Sequence, residues 1–210
     1  MDAFRDEEKI LFKQLNTPQK IQDFIDTIQI NFEPKGDTCF SPRMVLQQRR
    51  AHCIEGAILA AMILRYHGYP PLVVDLETTK DDFDHVIAVF KQHDHWGAIS
   101  KTNHAVLRYR EPVYKTIREL VMSYFHEYFK NETGKKTLRS FTKPINLKMF
   151  DHKDWMTSHK EVWYIAEYLA DARHIALISK EQIKTLRRAT PVERRLGGIV
   201  EWEKKEKENE

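Results

Sequence analysis

The chain has 210 residues, 41% of them hydrophobic and 11% aromatic, which supports one sizeable core and excludes a disordered composition. Its 34 basic and 31 acidic residues leave a net charge of +3, and no basic block alternates with stacking aromatics, so no nucleic-acid partner is expected. Two cysteines, Cys39 and Cys53, make no disulfide framework. No run approaches the roughly 20 apolar residues that span a bilayer. The acidic start Met1-Asp2-Ala3-Phe4-Arg5-Asp6-Glu7-Glu8 lacks the apolar centre of a signal peptide. The expectation is a cytoplasmic protein with no membrane contact and its thiols reduced.

In chain order, the first segment reads as helical. Thr17-Pro18 is a cap followed by a first-turn proline, and Ile21, Phe24, Ile25 and Ile28 recur at helical spacing. Residues 31–38 read as a loop, and Ser41-Pro42 repeats the cap signal before a short helix. From Cys53 to Tyr66 the chain is apolar on nearly every side, the pattern of a buried central helix, closed by Gly68 and two prolines. Leu72 to Leu76, His85 to Phe90 and His95 to Ser100 read as three strands, the last two joined by a tight turn. An amphipathic helix is expected from Val113 to Tyr128. Ser158 with Glu161 suggests a capping box for another helix, Ile175 to Ile178 a strand, and Ser179 with Gln182 a final helix. One helix on an antiparallel meander, with further helices after it, is an α+β arrangement. Residues 1–201 form a single domain in this reading, and 202–210 a charged, disordered tail.

Chemistry concentrates at Cys53. A nucleophilic cysteine acts as thiolate, and the first turn of a helix favours an anion through unpaired N–H groups and the macrodipole. Arg49 and Arg50 precede it, and Glu55 is expected to pair with one of them. His85 opens a later strand and is the best general base, and a third polar group should orient its ring. Cys39 has no such context and reads as structural.

The order of these parts resembles the transglutaminase-like, papain-like superfamily. Ala51-His52-Cys53-Ile54-Glu55-Gly56-Ala57, Leu64-Arg65-Tyr66-His67-Gly68-Tyr69-Pro70, Asp84-His85-Val86 and Trp96-Gly97-Ala98-Ile99-Ser100 carry the likeness, over residues 40–103. The chain is also similar to a group of small microbial proteins of that superfamily, through Trp96 to Lys101 and Ser123 to Phe129. The resemblance implies a cysteine on a central buried helix packed on an antiparallel sheet. It implies acyl transfer or hydrolysis on a protein, peptide or small amide, by a peptidase, amidase or transglutaminase-type reaction that needs no cofactor. Cys53 would attack a carbonyl and His85 would take and return the proton. Ser100 stands where the family carries an aspartate, so Ser100 or Asn103 would orient the ring; Trp96 and His52 are expected to bind substrate.

Three alternatives remain at this level. One is a non-catalytic binding or scaffold module that kept the fold while losing the acid. Another is an arylamine N-acetyltransferase-like enzyme, since Arg50-Ala51-His52-Cys53-Ile54-Glu55 is similar to that family's cysteine motif. The third is a metal protein using His93-Asp94-His95, although a hairpin turn explains those residues and no metal site is expected.

Overall fold

The computed structural model describes residues 4–203. Helices α1 (Asp6–Gln14) and α2 (Pro18–Asp26) lead to the two-residue strand β1 (Gln29–Ile30). Then come α3 (Pro42–Gln48), β2 (Arg50–Ala51) and the long helix α4 (Cys53–Tyr66). Strands β3 (Leu72–Glu77), β4 (His85–Gln92), β5 (His95–Ser100) and β6 (Arg110–Tyr114) form a meander, followed by α5 (Ile117–Phe125). The remainder comprises β7 (Ser140–Thr142), β8 (Ile145–Asn146), a 3-10 turn (Leu147–Lys153), α6 (Trp163–Asp171), β9 (His174–Ala176), α7 (Lys180–Lys184) and α8 (Pro191–Gly197).

The result is a mixed α+β molecule around one antiparallel sheet. Its seven strands run in the order β6-β5-β4-β3-β7-β9, with β8 pairing on β3. Both faces are covered. Ile58, Leu59, Met62 and Ile63 of α4 pack with Val73, Ala88, Phe90 and Ile99 on one side. Leu120, Val121 and Tyr124 of α5 pack with Val74, Ile87, Val89 and Ala98 on the other. Double coverage explains why β3 and β4 read as continuous apolar runs, since a sheet with one wet face would alternate.

The caps work as their residues dictate. Thr17 Oγ1 accepts the Lys20 N–H and Ser41 Oγ accepts the Met44 N–H, so each helix starts at its proline. Gly68 takes φ +89° where α4 stops, a conformation that costs a side-chain-bearing residue energy. His93 and Asp94 both have positive φ, as a tight two-residue hairpin turn requires.

Several expectations need correction. The helix expected from Val113 is strand β6 as far as Tyr114, and α5 begins only at Ile117, capped by the Thr116–Glu119 capping box. Pro112 is tolerated because β6 is an edge strand. Ser158 does not cap a helix. Its hydroxyl closes a local turn on Lys160, and α6 begins at Trp163. The last strand is three residues, His174–Ala176. Helix α8 was missed, although Thr190, Pro191 and Glu193 spell a capped start. Arginines in and before α8 reach backbone acceptors: Arg194 donates to the Asn131 and Glu132 carbonyls, and Arg188 to that of Thr133. The expected tail boundary falls on Trp202, whose backbone pairs in both directions with the Asn103 amide; residues 204–210 lie outside the described residues. Among the described residues, no helix is long and apolar enough to cross a membrane.

Gly56 lets α4 lie against the end of β5, because an added methyl would collide with the Cβ of fully buried Lys101. Lys101 cannot withdraw, since its ammonium binds the carbonyls of Ile25 and Ile28 at the end of α2. Gly56→Ala should therefore cost about 1–3 kcal/mol by overpacking, read as a lower urea midpoint with an unchanged slope.

Candidate active site

The site begins with how α4 starts. Arg49 ends α3 in a left-handed conformation, and β2 then pairs in parallel with β1. His52 is the extended N-cap residue that turns the chain into α4, with Cys53 as the first helical residue. Cys53 is half-buried, and its first-turn N–H has no intrahelical acceptor. Its sulfur lies 4.0 Å from the Asp84 carbonyl, just ahead of β4.

His85 and Ser100 come together through strand register. Ile87 pairs directly with Ser100, so His85, two residues earlier, is the diagonal neighbour on the same face. His85 Nε2 lies 2.7 Å from Ser100 Oγ, and Ser100 Oγ donates to the Leu107 carbonyl at 2.6 Å. A hydroxyl has one proton, and the carbonyl can only accept. Ser100 must therefore accept from His85, which puts the ring hydrogen on Nε2 and leaves Nδ1 as the basic nitrogen.

His52 occupies a different environment. Its Nε2 lies 2.8 Å from the Thr38 carbonyl, 3.3 Å from Glu33 Oε1 and 3.6 Å from Glu55 Oε1. Glu55 is fully buried and accepts from Thr38 Oγ1, the Phe40 N–H, Asn31 Nδ2 and the His52 N–H. It does not pair with Arg49 or Arg50 as expected, because those guanidiniums lie over the rings of Phe24 and Phe40.

Enclosure of the Cys53 sulfur opposes ionisation, but hydrogen bonds and charge from His52 and His85 outweigh it and bring the thiol down to about 5. Burial likewise opposes a charge on His52. The bond to Cys53, the charges of Cys53 and Glu55, and the Thr38 carbonyl overcome it and raise the ring to about 9. Burial pushes the fully enclosed Cys39 thiol the other way, up to about 12.

The sulfur opens onto a cleft of about 610 Å³, lined on one side by Asp82, Phe83, Asp84 and His85 and on the other by Tyr128 to Thr133. Four contacts tie these walls together: Tyr128 Oη to the Phe83 carbonyl, Lys130 and Lys135 to Asp81, and Thr137 to Asp82. Phe83 stands 89% exposed at this cleft.

Of the six residues expected at the site, Cys53, His85 and Ser100 lie together. Asn103 lines the cleft, but both ends of its amide are committed to Trp202 and it does not hold His85. Trp96 lies outside the cleft. It is four strand positions from Ser100, about 13 Å away, paired with Tyr114 and packed on the α5 side. The His52 ring turns to acceptors in the loop before α3 and does not line the cleft. Sequence reasoning missed Glu33 and Phe83. The spacing of His52, Cys53 and Glu55 did carry the capping pattern, but nothing in the sequence tied Glu33 to it. His93 and Asp94 serve the hairpin turn, with Asp94 bound by Lys91. No protein-family model matches the chain, and no curated protein matches it.

The lowered thiol and the raised imidazole act in opposite directions along the pH scale. A lowered thiol adds stability that is lost as pH falls through about 5, and a raised histidine adds stability that is lost as pH rises through about 9. With unfolded values of 9.0 and 6.5, native and unfolded pairs bind equal protons between pH 6.5 and 9. Below 6.5 the unfolded chain binds one more. Stability in urea should therefore be flat from pH 7 to 9 and fall from 6.5 to 5, and Cys53→Ala should weaken that fall.

Proposed function

We propose that the protein is a cysteine-dependent enzyme of transglutaminase-like fold that hydrolyses or transfers acyl groups of a protein, peptide or small amide. The observation that carries this reading is the Cys53 thiol at the start of α4, open to a cleft that His85 also lines, with the His85 tautomer set by the Ser100–Leu107 chain. The helix-borne cysteine followed by a strand-borne histidine and a polar residue on the next strand also supports it. A free thiol of this kind suits a reducing, cytoplasmic setting.

Cys53 gives its thiol proton to His85 Nδ1 as its sulfur bonds the carbonyl carbon, and the displaced amine takes that proton from His85 as the C–N bond breaks. Water or a second amine then gives a proton to His85 Nδ1 as it attacks the thioester, and the proton returns to the Cys53 sulfur as the C–S bond breaks. The helix N–H groups at Cys53 offer donors to the oxyanion. None of these steps requires a cofactor.

Incubation with a panel of aryl esters and peptide amides tests this directly. Intact mass should show an acyl adduct on Cys53, absent from Cys53→Ala, and turnover should fall about 100-fold or more in His85→Ala. A folded protein that forms no adduct with any acyl donor, and whose two thiols react equally slowly with iodoacetamide at pH 6, would overturn it.

A further inference from the structure

We propose that Glu127 is a positioning residue for the His85 base. It holds Leu107 in a strained backbone conformation, and that conformation aims the carbonyl which fixes Ser100 and, through Ser100, the His85 ring. This rests on His85 serving Cys53 as a base. Leu107 has φ +62°, in the left-handed region, and among the described residues it alone carries an apolar side chain there. Crowding at Cβ makes that conformation costly for leucine, so neighbouring contacts must hold it.

Those contacts lie on both sides of the residue. The Leu107 N–H donates to Glu127 Oε2 at 2.9 Å, and the Leu107 carbonyl accepts from Ser100 Oγ at 2.6 Å. Glu127, just past α5, is fixed in turn, because the same oxygen accepts from Arg110 Nη2 at 2.6 Å. Arg110 is fully engaged. Its guanidinium also donates to the hydroxyl and carbonyl of Ser123 and to the carbonyls of Arg108 and Tyr109, and it lies 4.1 Å from the centre of the Tyr124 ring. Tyr124 Oη donates to the Arg108 carbonyl, the next one along the chain. Helix α5 and the residue beyond it thus anchor the loop that leads from β5 to β6.

The consequence for the base is chemical. With the Leu107 carbonyl in place, the single hydroxyl proton of Ser100 is committed to it, and Ser100 can only accept from His85. If Leu107 relaxes and its carbonyl turns away, the hydroxyl is free to donate to His85 Nε2. The ring hydrogen then sits on Nδ1, and the nitrogen that accepts the proton is lost. Arg110 already pairs with the carboxylate, so Glu127 acts through its reach rather than its charge.

The test compares full-length wild type with Glu127→Gln, Glu127→Asp and Glu127→Ala. Proton–nitrogen correlation spectra of the imidazoles read the tautomer, with His85 assigned by its loss in His85→Gln, and hydrolysis of p-nitrophenyl acetate reads turnover. Glu127→Gln has the same reach, so it should keep the hydrogen on Nε2 and a kcat within about twofold of wild type. Glu127→Asp keeps the charge but stops short of Leu107. There and in Glu127→Ala the two tautomers should mix, and kcat should fall about 10-fold with KM little changed. Adding Leu107→Gly to Glu127→Ala should restore the Nε2 tautomer and most of the lost kcat, because glycine takes positive φ without a holding contact. An unchanged tautomer in Glu127→Asp and Glu127→Ala, or a rise in KM alone, would overturn the proposal. So would an equal loss in Glu127→Gln, which would make charge the cause. If Glu127→Ala does not fold, the contrast between Glu127→Asp and Glu127→Gln decides it. A wild type that neither hydrolyses the ester nor forms an adduct removes the reading of His85 as a base, and the tautomers still decide whether Glu127 sets the ring.

Discussion

Glu55 is a fully buried carboxylate at the first turn of α4, and the arrangement of the site follows from satisfying it. An unpartnered buried charge costs several kcal/mol, so its four donors are obligatory partners. Three of them, Asn31, Thr38 and Phe40, belong to the loop between β1 and α3. The fourth is the N–H of His52. Meeting them wraps that loop around the helix start, which brings the Thr38 carbonyl and Glu33 onto the His52 ring. The helix that presents the thiol is therefore stitched at its first turn to the loop before α3.

The sheet provides the other half. Because β4 and β5 pair in a fixed register, His85 and Ser100 meet by geometry that neither residue determines alone. Burial on both faces makes a register slip expensive, since it would drive polar residues into both apolar clusters. Close contact of Gly56 with Lys101 seats α4 at that end of the sheet. Thiol and imidazole thus belong to separate elements that are each independently fixed, a preorganisation that acyl-transfer chemistry needs.

Much of this was legible before the structure. The bounds of α4, the capped starts of α2 and α3, and the three central strands follow from periodicity and cap residues, because local chemistry decides them. Cys53 and His85 were legible because a helix start and a strand start each leave a local mark, and Ser100 through the position that the family resemblance gives it. The errors share one cause, which is long-range partnership. Asn103 had the right chemistry to orient a histidine, yet Trp202, 99 residues away, takes its amide. Trp96 sits at the wrong end of a strand whose two ends look alike in sequence. Glu55 beside two arginines suggested an ion pair, but aromatic rings claim the guanidiniums and a loop claims the carboxylate. Glu33 left no signal, because its role depends on a loop closing over a helix.

The central claim is that Cys53 rests as a thiolate at neutral pH, and absorbance at 240 nm measures that without any substrate. The difference spectrum between wild type and Cys53→Ser should show one thiolate at pH 7, disappearing as the pH falls through about 5. A difference that stays at zero until the pH approaches the ordinary thiol range near 8.5 would contradict it.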